Sequence, residues 1–182
     1  YLKWIDMDIR VKKNDRWSQH SNLSFDLSVL DVYGCLIYGA CLYPITSKID
    51  KLFPANAIKK YSLTIWNSVP SVIDLMIKSN QLKDEYLKSL RLFTFCGEPL
   101  MEHHLDNIFN LKKKIKLHNT YGPTEATVSV TNEKFTKSNY KSKVLLNACL
   151  GKPINNMSIS FKNLDLNNAG EILISGPQVA LG

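Results

Sequence analysis

The spacing of apolar and polar residues along the chain alternates between strand-like and helix-like stretches. Four short runs rich in β-branched and aromatic residues are typical of buried strands. They are residues 41–45, 62–67, 90–96 and 115–117. Other stretches have apolar residues every three to four positions, which predicts helices at 27–37, 71–78, 82–90 and from Pro99 to about Phe109. Because strand, turn and helix repeat in this way, we predict an α/β domain with a largely parallel sheet flanked by helices.

The C-terminal part of the chain has a different pattern. Residues 157–161 and 171–175 are short β-like runs, and the turn-rich residues 167–170 separate them. We therefore predict that residues 1–143 form the α/β part of a larger domain and that residues 144–182 begin a β-rich subdomain. The sequence has no Met at its start, so we expect it to be a piece of a longer protein.

A rigid elbow is predicted where the run 115–117 ends. Gly122 permits backbone angles that a side chain would forbid, and Pro123 has a fixed φ. Ligands of open α/β sheets bind beyond the carboxyl ends of the strands, so this elbow is a candidate site.

Three side chains at the elbow have chemistry that suits a nucleotide. The ring of Tyr121 can stack on a flat ring, and Thr124 can hydrogen-bond an anionic oxygen. Glu125 is a hard oxygen ligand suited to a magnesium ion shared with phosphates. The alternative at this stage is a structural turn with a surface glutamate.

Asp26 lies at the predicted start of the helix that begins at Leu27. One role for its carboxylate is to cap that helix. The other is to hold the ammonium group of a substrate, since the helix dipole keeps an aspartate ionised at this position.

Composition narrows the class of partner. The 182 residues include 23 Lys+Arg and 16 Asp+Glu, a net charge of +7. The basic residues are dispersed along the sequence apart from 59–60 and 112–114, which is typical of solvated faces. No basic stripe is interleaved with aromatics, so we expect no nucleic-acid partner. Neither a signal peptide nor a run of about 18 apolar residues occurs, so we expect no export and no membrane span.

Cysteine and histidine spacing gives no metal motif. The four cysteines form no CxxC pair, which indicates reduced thiols and a cytoplasmic protein. Glu102, His103 and His104 are adjacent, but no third convergent ligand is evident, so we expect a solvated helix face there.

Five short motifs occur in a recognisable order. They are Phe25-Asp-Leu-Ser28, Phe95-Cys-Gly-Glu98, Asn119-Thr-Tyr-Gly-Pro-Thr-Glu125, Gly151-Lys-Pro-Ile154 and Gly170-Glu-Ile-Leu-Ile-Ser-Gly176. Their order and spacing resemble the amino-acid adenylating enzymes, namely the adenylation domains of nonribosomal peptide synthetases and the D-alanine–carrier-protein ligases. The resemblance covers essentially the whole chain. It implies a reaction in which ATP and an amino acid give an aminoacyl-adenylate and pyrophosphate. The acyl group then passes to the phosphopantetheine thiol of a carrier protein.

The resemblance also implies roles for individual residues. Thr124 and Glu125 would be catalytic, with Glu125 holding Mg²⁺, and Asp26 would bind the substrate ammonium group. The nucleotide would be contacted by Gly97, Glu98, Pro99, Asn119, Tyr121, Gly122 and Thr124. The substrate pocket would be lined by Asp26, Leu27, Leu30, Asn67, Thr94, Cys96, Thr120, Val128 and Ser129. These side chains are small or medium, so we expect a small α-amino acid as substrate.

Parts of the family pattern fall outside this sequence. The resemblance implies an upstream phosphate loop, and downstream a ribose-binding Asp and a small domain with a catalytic Lys. We therefore expect the 182-residue chain alone to adenylate poorly or not at all. The alternatives are a piece of an acyl- or aryl-CoA ligase, which would not need a carboxylate at Asp26, and a non-catalytic nucleotide-binding fragment.

Overall fold

Helices and strands alternate along residues 1–167 and 169–181, which the computed structural model describes. The helices are α1 (Leu2–Trp4), which continues as a π-helix at Ile5–Ile9, α2 (Leu27–Leu36), α3 (Lys48–Leu52), α4 (Pro54–Tyr61), α5 (Ser71–Lys78) and α6 (Glu102–Phe109). The strands are β1 (Arg16–Gln19), β2 (Cys41–Pro44), β3 (Ile65–Ser68), β4 (Leu92–Phe95), β5 (Lys116–Tyr121), β6 (Thr131–Phe135), β7 (Lys152–Pro153), β8 (Ser158–Lys162) and β9 (Glu171–Ser175). Among the described residues, none of these helices combines the length and apolar character that a bilayer crossing needs.

Seven strands form one sheet in the order β2-β1-β3-β4-β5-β6-β7. The pairs from β2 to β5 are parallel, and the β5–β6 and β6–β7 pairs are antiparallel. The α/β class with a largely parallel sheet, predicted from the sequence, is therefore confirmed. A second, two-stranded antiparallel sheet consists of β8 and β9. The predicted division between residues 143 and 144 stays a prediction.

Two apolar clusters cover the two faces of the main sheet. Trp66 and Phe93 belong to a cluster with residues of α4, α5 and α6, while their neighbours Ile65 and Leu92 belong to one with α1, the π-helix and α2. Successive side chains of a strand point to opposite faces, so β3 and β4 contribute to both clusters. This double burial explains why the strands appear in the sequence as continuous apolar runs.

The predicted helix at 82–90 is wrong. The segment forms consecutive turns, although Leu87 and Leu90 are fully buried as the apolar spacing suggested. The Asp84 carboxylate accepts hydrogen bonds from the backbone N–H groups of Lys112 and Lys113, 3.2 and 2.9 Å away. This link to a distant loop holds the segment in a non-helical path, a constraint that local periodicity does not contain.

Strand β5 is longer than the run 115–117 from which it was predicted. It continues through polar residues to Tyr121, and two of these, Asn119 and Thr120, have hydrogen-bond partners for their buried side chains. Asn119 Nδ2 donates to the Cys149 carbonyl at 3.0 Å, and Thr120 Oγ1 donates to the Phe95 carbonyl at 3.1 Å. The strand therefore delivers Tyr121 to the carboxyl edge of the sheet.

Candidate active site

The carboxyl ends of the parallel strands open into loops that carry most of the candidate residues. The loop after β1 leads to Asp26, β4 is followed by Cys96 to Pro99, and β5 ends at Tyr121. Because parallel strands end at the same edge, segments far apart in sequence meet there.

One cavity of about 450 Å³ lies between the loops after β1 and β4, and is called the Asp26 cavity here. It is lined by His20, Ser21, Asn22, Phe25, Asp26, Leu27, Val69, Cys96, Gly97, Glu98 and Gly122. Asp26 precedes the first residue of α2, yet its side chain makes no capping hydrogen bond. Its carboxylate is therefore available to a ligand in the cavity.

A second cavity of about 430 Å³, the Tyr121 cavity, lies between the loop after β4 and the end of β5. It is lined by Gly97, Glu98, Pro99, Leu100, Thr120, Tyr121, Gly122, Asn147, Ala148 and Leu150. Gly97, Glu98 and Gly122 line both cavities. The two cavities therefore adjoin, and one ligand can extend from the aromatic ring of Tyr121 to the carboxylate of Asp26.

Gly122 is needed at this junction for a reason that the sequence did not predict. Its φ is not in the left-handed region, so the expected special backbone angle is wrong. A Cβ at this position would lie 2.7 Å from the Val128 carbonyl oxygen and 2.9 Å from Ser129 Cα. The glycine therefore allows two backbone segments to approach closely.

The Glu98 carboxylate anchors the wall between the two cavities. Its Oε2 accepts a hydrogen bond of 3.0 Å from the backbone N–H of Ser71, the first residue of α5. The preceding residue, Gly97, has a left-handed φ of 89° that a glycine adopts readily. The loop is thereby tied to the start of a helix, where orphan backbone N–H groups need acceptors.

The elbow after β5 turns sharply and is clasped by the C-terminal segment. Thr127 and Val128 have positive φ angles of 57° and 66°, and the Ser129 N–H donates to the Thr127 carbonyl at 2.8 Å. Gln178 Nε2 donates to the carbonyls of Ala126 and Ser129, 3.2 and 3.1 Å away. A β-branched residue at positive φ is strained, so neighbouring contacts hold this turn in place.

Thr124 and Glu125 form part of a short 3-10 helix, Thr124–Ala126, and both are exposed. They line neither the Asp26 cavity nor the Tyr121 cavity. Glu125 forms no ion pair with any described residue, so its carboxylate is free to meet a cation from solvent. Their roles at the phosphates stay predictions.

Some of the predicted pocket residues line a cavity, and the others are buried without reaching a cavity surface. Asp26, Leu27 and Cys96 line the Asp26 cavity, and Thr120 lines the Tyr121 cavity. Five others are buried without lining either cavity: Leu30, Asn67, Thr94, Val128 and Ser129. Burial raises the pKa of the Cys96 thiol, which favours a compact wall over a reactive nucleophile.

Asn67 is at the centre of a buried hydrogen-bond network below the Asp26 cavity. Its Nδ2 donates to Asp31 Oδ1 at 2.8 Å, and its Oδ1 accepts from Thr94 Oγ1 at 2.7 Å. Trp17 Nε1 also donates to Asp31, which has no exposed surface, and burial raises the pKa of this carboxyl well above its ordinary value. Asn67 therefore supports the pocket floor. Sequence reasoning missed Asp31, although a carboxylate on the buried side of an amphipathic helix was a visible signal.

Asn119 also lies behind the wall. It lines neither cavity, and its bond to the Cys149 carbonyl positions the residues beside Cys149 that line the Tyr121 cavity. His20 and Val69 line the Asp26 cavity but were not predicted. Both directly follow parallel strands, and that position is the signal that could have identified them.

The expectation of a solvated face at His103 and His104 is wrong in two respects. His104 is buried, and a third candidate ligand, Asp74 of α5, lies 3.0 and 3.2 Å from the two Nε2 atoms. However, the Met101 N–H donates to His104 Nδ1, so the ring proton is on Nε2 and points at Asp74. These contacts are hydrogen bonds that join α5 to α6.

Comparisons with known proteins agree with this geometry. A family model described as AMP-binding enzyme matches residues 1–182. The chain is 33% identical to a D-alanine–D-alanyl carrier protein ligase of Bacillus velezensis and 32% identical to one of Listeria monocytogenes. In both cases the match covers 100% of this chain and 37% of the relative, so the chain spans little more than a third of these proteins.

Solved structures of an adenylation domain and a peptide synthetase also match this chain. The adenylation domain AlmE of Vibrio cholerae, solved with glycyl-adenosine-5'-phosphate, matches with a TM-score of 0.84 and 34% identity. That match covers 100% of this chain and 35% of AlmE. The peptide synthetase FmoA3 matches with a TM-score of 0.81 at 23% identity over 100% of this chain and 20% of its own, which shows a shared fold.

Proposed function

The chain belongs to the AMP-binding enzyme family, and on that premise we propose that it forms the central part of an ATP-dependent amino-acid ligase. In this proposal a carboxylate oxygen of the amino acid attacks the α-phosphorus of ATP, and pyrophosphate leaves. The thiol of a carrier-protein phosphopantetheine then attacks the carbonyl carbon of the aminoacyl-AMP, and AMP leaves.

The observation that carries the proposal is the pair of adjoining cavities. The Tyr121 cavity offers an aromatic ring to a flat base, and the Asp26 cavity offers an uncapped carboxylate to an ammonium group. Two of the three residues that line both cavities, Gly97 and Gly122, have no side chain to separate the two ligands, and the third, Glu98, is hydrogen-bonded to Ser71. Holding two reactants at such a junction converts their meeting into an effectively intramolecular step.

Mg²⁺ would be held by Glu125 and would neutralise charge on the phosphates. An exposed carboxylate without an ion-pair partner among the described residues suits this hard cation. Thr124, in the same 3-10 helix, would donate its hydroxyl proton to a phosphate oxygen. Asn119 and Tyr121 would contact the adenine.

The substrate that we propose is a small α-amino acid. Leu27, Val69 and Cys96 give the Asp26 cavity apolar walls without a second carboxylate for a basic side chain, and Glu98 is engaged with Ser71. The relatives are named for D-alanine, and AlmE was solved with glycyl-adenosine-5'-phosphate, so glycine and both alanine enantiomers are the first compounds to test. We place the reaction in the cytoplasm, where ATP is supplied and free cysteines such as these are typical.

The test is amino-acid-dependent ATP–pyrophosphate exchange by the parent protein. Asp26→Ala should lower kcat/KM for the amino acid by about a hundredfold or more, because the ammonium group loses its counter-charge. The matched control is Asp6→Asn, which alters an exposed carboxylate outside both cavities and should leave exchange unchanged.

Activity of Asp26→Ala within a few-fold of the unchanged protein would contradict the proposal. If the parent then activates carboxylic acids without an amino group, the acyl- or aryl-CoA ligase alternative is favoured. Assaying the 182-residue chain beside its parent tests a separate expectation, that the chain alone has little or no exchange activity.

A further inference from the structure

A third cavity, of about 660 Å³, lies at the opposite edge of the sheet. It is formed where β4 and β5 begin and β6 ends, with Leu92, Lys116 and Phe135 in its lining. Lys116 and Tyr121 are the two ends of β5, about 16 Å apart at the usual rise per strand residue, and the cavity shares no lining residue with the Tyr121 cavity or the Asp26 cavity. We call it the basic cavity, and it is independent of the proposed active site.

The fold concentrates positive charge around the basic cavity. Six cations line it: Arg10, Lys12, Arg91, Lys114, Lys116 and Lys134. They come from four separate parts of the sequence, which is why the basic residues looked dispersed along the chain. Asp8 is the single carboxylate in the lining, and it is already bonded to Lys134 and Asn132.

Four of the six cations lack a counter-charge. Arg91 is paired with Asp15 and Lys134 with Asp8, whereas Arg10, Lys12, Lys114 and Lys116 form no ion pair with any described residue. Like charges around a partly enclosed volume repel one another and raise the local concentration of anions.

A buried imidazole completes the lining. His118 is 3% exposed, and its Nδ1 has no hydrogen-bond partner among the described residues. Burial, followed by the charge of Lys134, lowers the pKa of His118 to about 4, so the ring is neutral at pH 7 and carries one N–H donor. A buried polar group without a protein partner is uncommon, and this one belongs to a residue that lines the cavity.

We propose that the basic cavity binds a small polyanion of the phosphate class, such as pyrophosphate or a phosphorylated metabolite. Four uncompensated cations match a ligand with several negative charges. The volume lies within the range of small-molecule sites and exceeds what a single phosphate ion fills. The lysines and arginines supply charge-assisted hydrogen bonds, and the neutral ring of His118 lies in the lining beside them.

The test is calorimetric titration of the parent protein with pyrophosphate at low ionic strength. The variant is Lys114→Gln with Lys116→Gln, two exposed side chains whose replacement leaves the core intact. It should weaken binding by at least about tenfold, because two charge-assisted hydrogen bonds to the anion are removed. The matched control, Lys78→Gln with Lys83→Gln, alters two exposed lysines outside the cavity and should bind as before.

Two further measurements separate this site from the proposed active site. The ring resonances of His118 should shift on titration, because no other cavity described above contains this residue. Thr124→Ala should leave the affinity at the basic cavity unchanged. The proposal is overturned if pyrophosphate gives no saturable binding, if both lysine pairs weaken it equally, if the His118 resonances do not move, or if citrate binds as tightly as pyrophosphate.

Discussion

Replacing Gly122 by alanine should destabilise the fold and disturb both cavities of the proposed active site. The added Cβ would lie 2.7 Å from the Val128 carbonyl oxygen and 2.9 Å from both Ser129 Cα and Val130 N. All three are backbone atoms, so no side-chain rotation can relieve the contact. Overpacking of this kind costs about 1–3 kcal/mol, and we expect Gly122→Ala to lose that much free energy of unfolding.

The assay is urea unfolding of the chain, followed by circular dichroism. The matched control is Gly34→Ala, whose Cβ would approach only side chains, with Trp17 at 3.1 Å. These contacts are longer than those at Gly122, and alanine favours a helix interior such as α2, so the control should change stability by less than about 1 kcal/mol. A loss below about 0.5 kcal/mol in Gly122→Ala, with unmoved amide resonances for 128–130, would refute the close-approach explanation.

Three further predictions concern buried polar groups. Burial opposes ionisation of Asp15, but hydrogen bonds from Arg91 hold the pKa of its carboxyl below the usual value. The stability that ionised Asp15 contributes is therefore present above about pH 4 and is lost as the pH falls through the folded pKa. Arg91→Ala should therefore lose about 2 kcal/mol at neutral pH and less in acid, measured by urea unfolding across pH. The raised pKa of Asp31 means that stability falls as the pH rises above about 4. The free energy of unfolding of Asp31→Asn, relative to that of the unchanged chain, should therefore be higher at about pH 8 than at about pH 5 in the same assay. The same relative value at the two pH values would contradict this. Asn67→Ala should cost about 2–4 kcal/mol because Asp31 and Thr94 lose a buried partner. A loss similar to that of the control Asn56→Ala, which alters a half-buried side chain in α4, would be evidence against the network.

Much of the fold could be predicted because its signals are local. Helix α5 has the predicted bounds, Ser71–Lys78, and the parallel sheet follows from repeated strand, turn and helix. The turns at 82–90 could not be predicted because the hydrogen bonds of Asp84 reach residues far along the chain. The spacing of apolar residues indicates which side chains of a segment are buried. It predicts the secondary structure correctly only where no hydrogen bond to a distant residue favours another backbone conformation.

The family was also correctly predicted, because five motifs in order carry more information than any one of them. Motifs could not separate residues that line a cavity from those that support it. Asn67 and Cys96 both follow from the resemblance, yet only Cys96 reaches the cavity surface. That distinction depends on side-chain direction in three dimensions. The same limit hid the basic cavity, whose cations converge only when β4, β5 and β6 align.

The three-residue turn centred on Val128 has a mechanical consequence. A β-branched residue at a φ of 66° holds about 1–3 kcal/mol of conformational strain, and here the clasp by Gln178 balances it. The strained turn is therefore held in place by hydrogen bonds from a different part of the chain. If Gln178 moved away, residues 127–129 would relax and shift the backbone that packs against Gly122. The C-terminal segment can therefore change the geometry of the site without contacting a ligand.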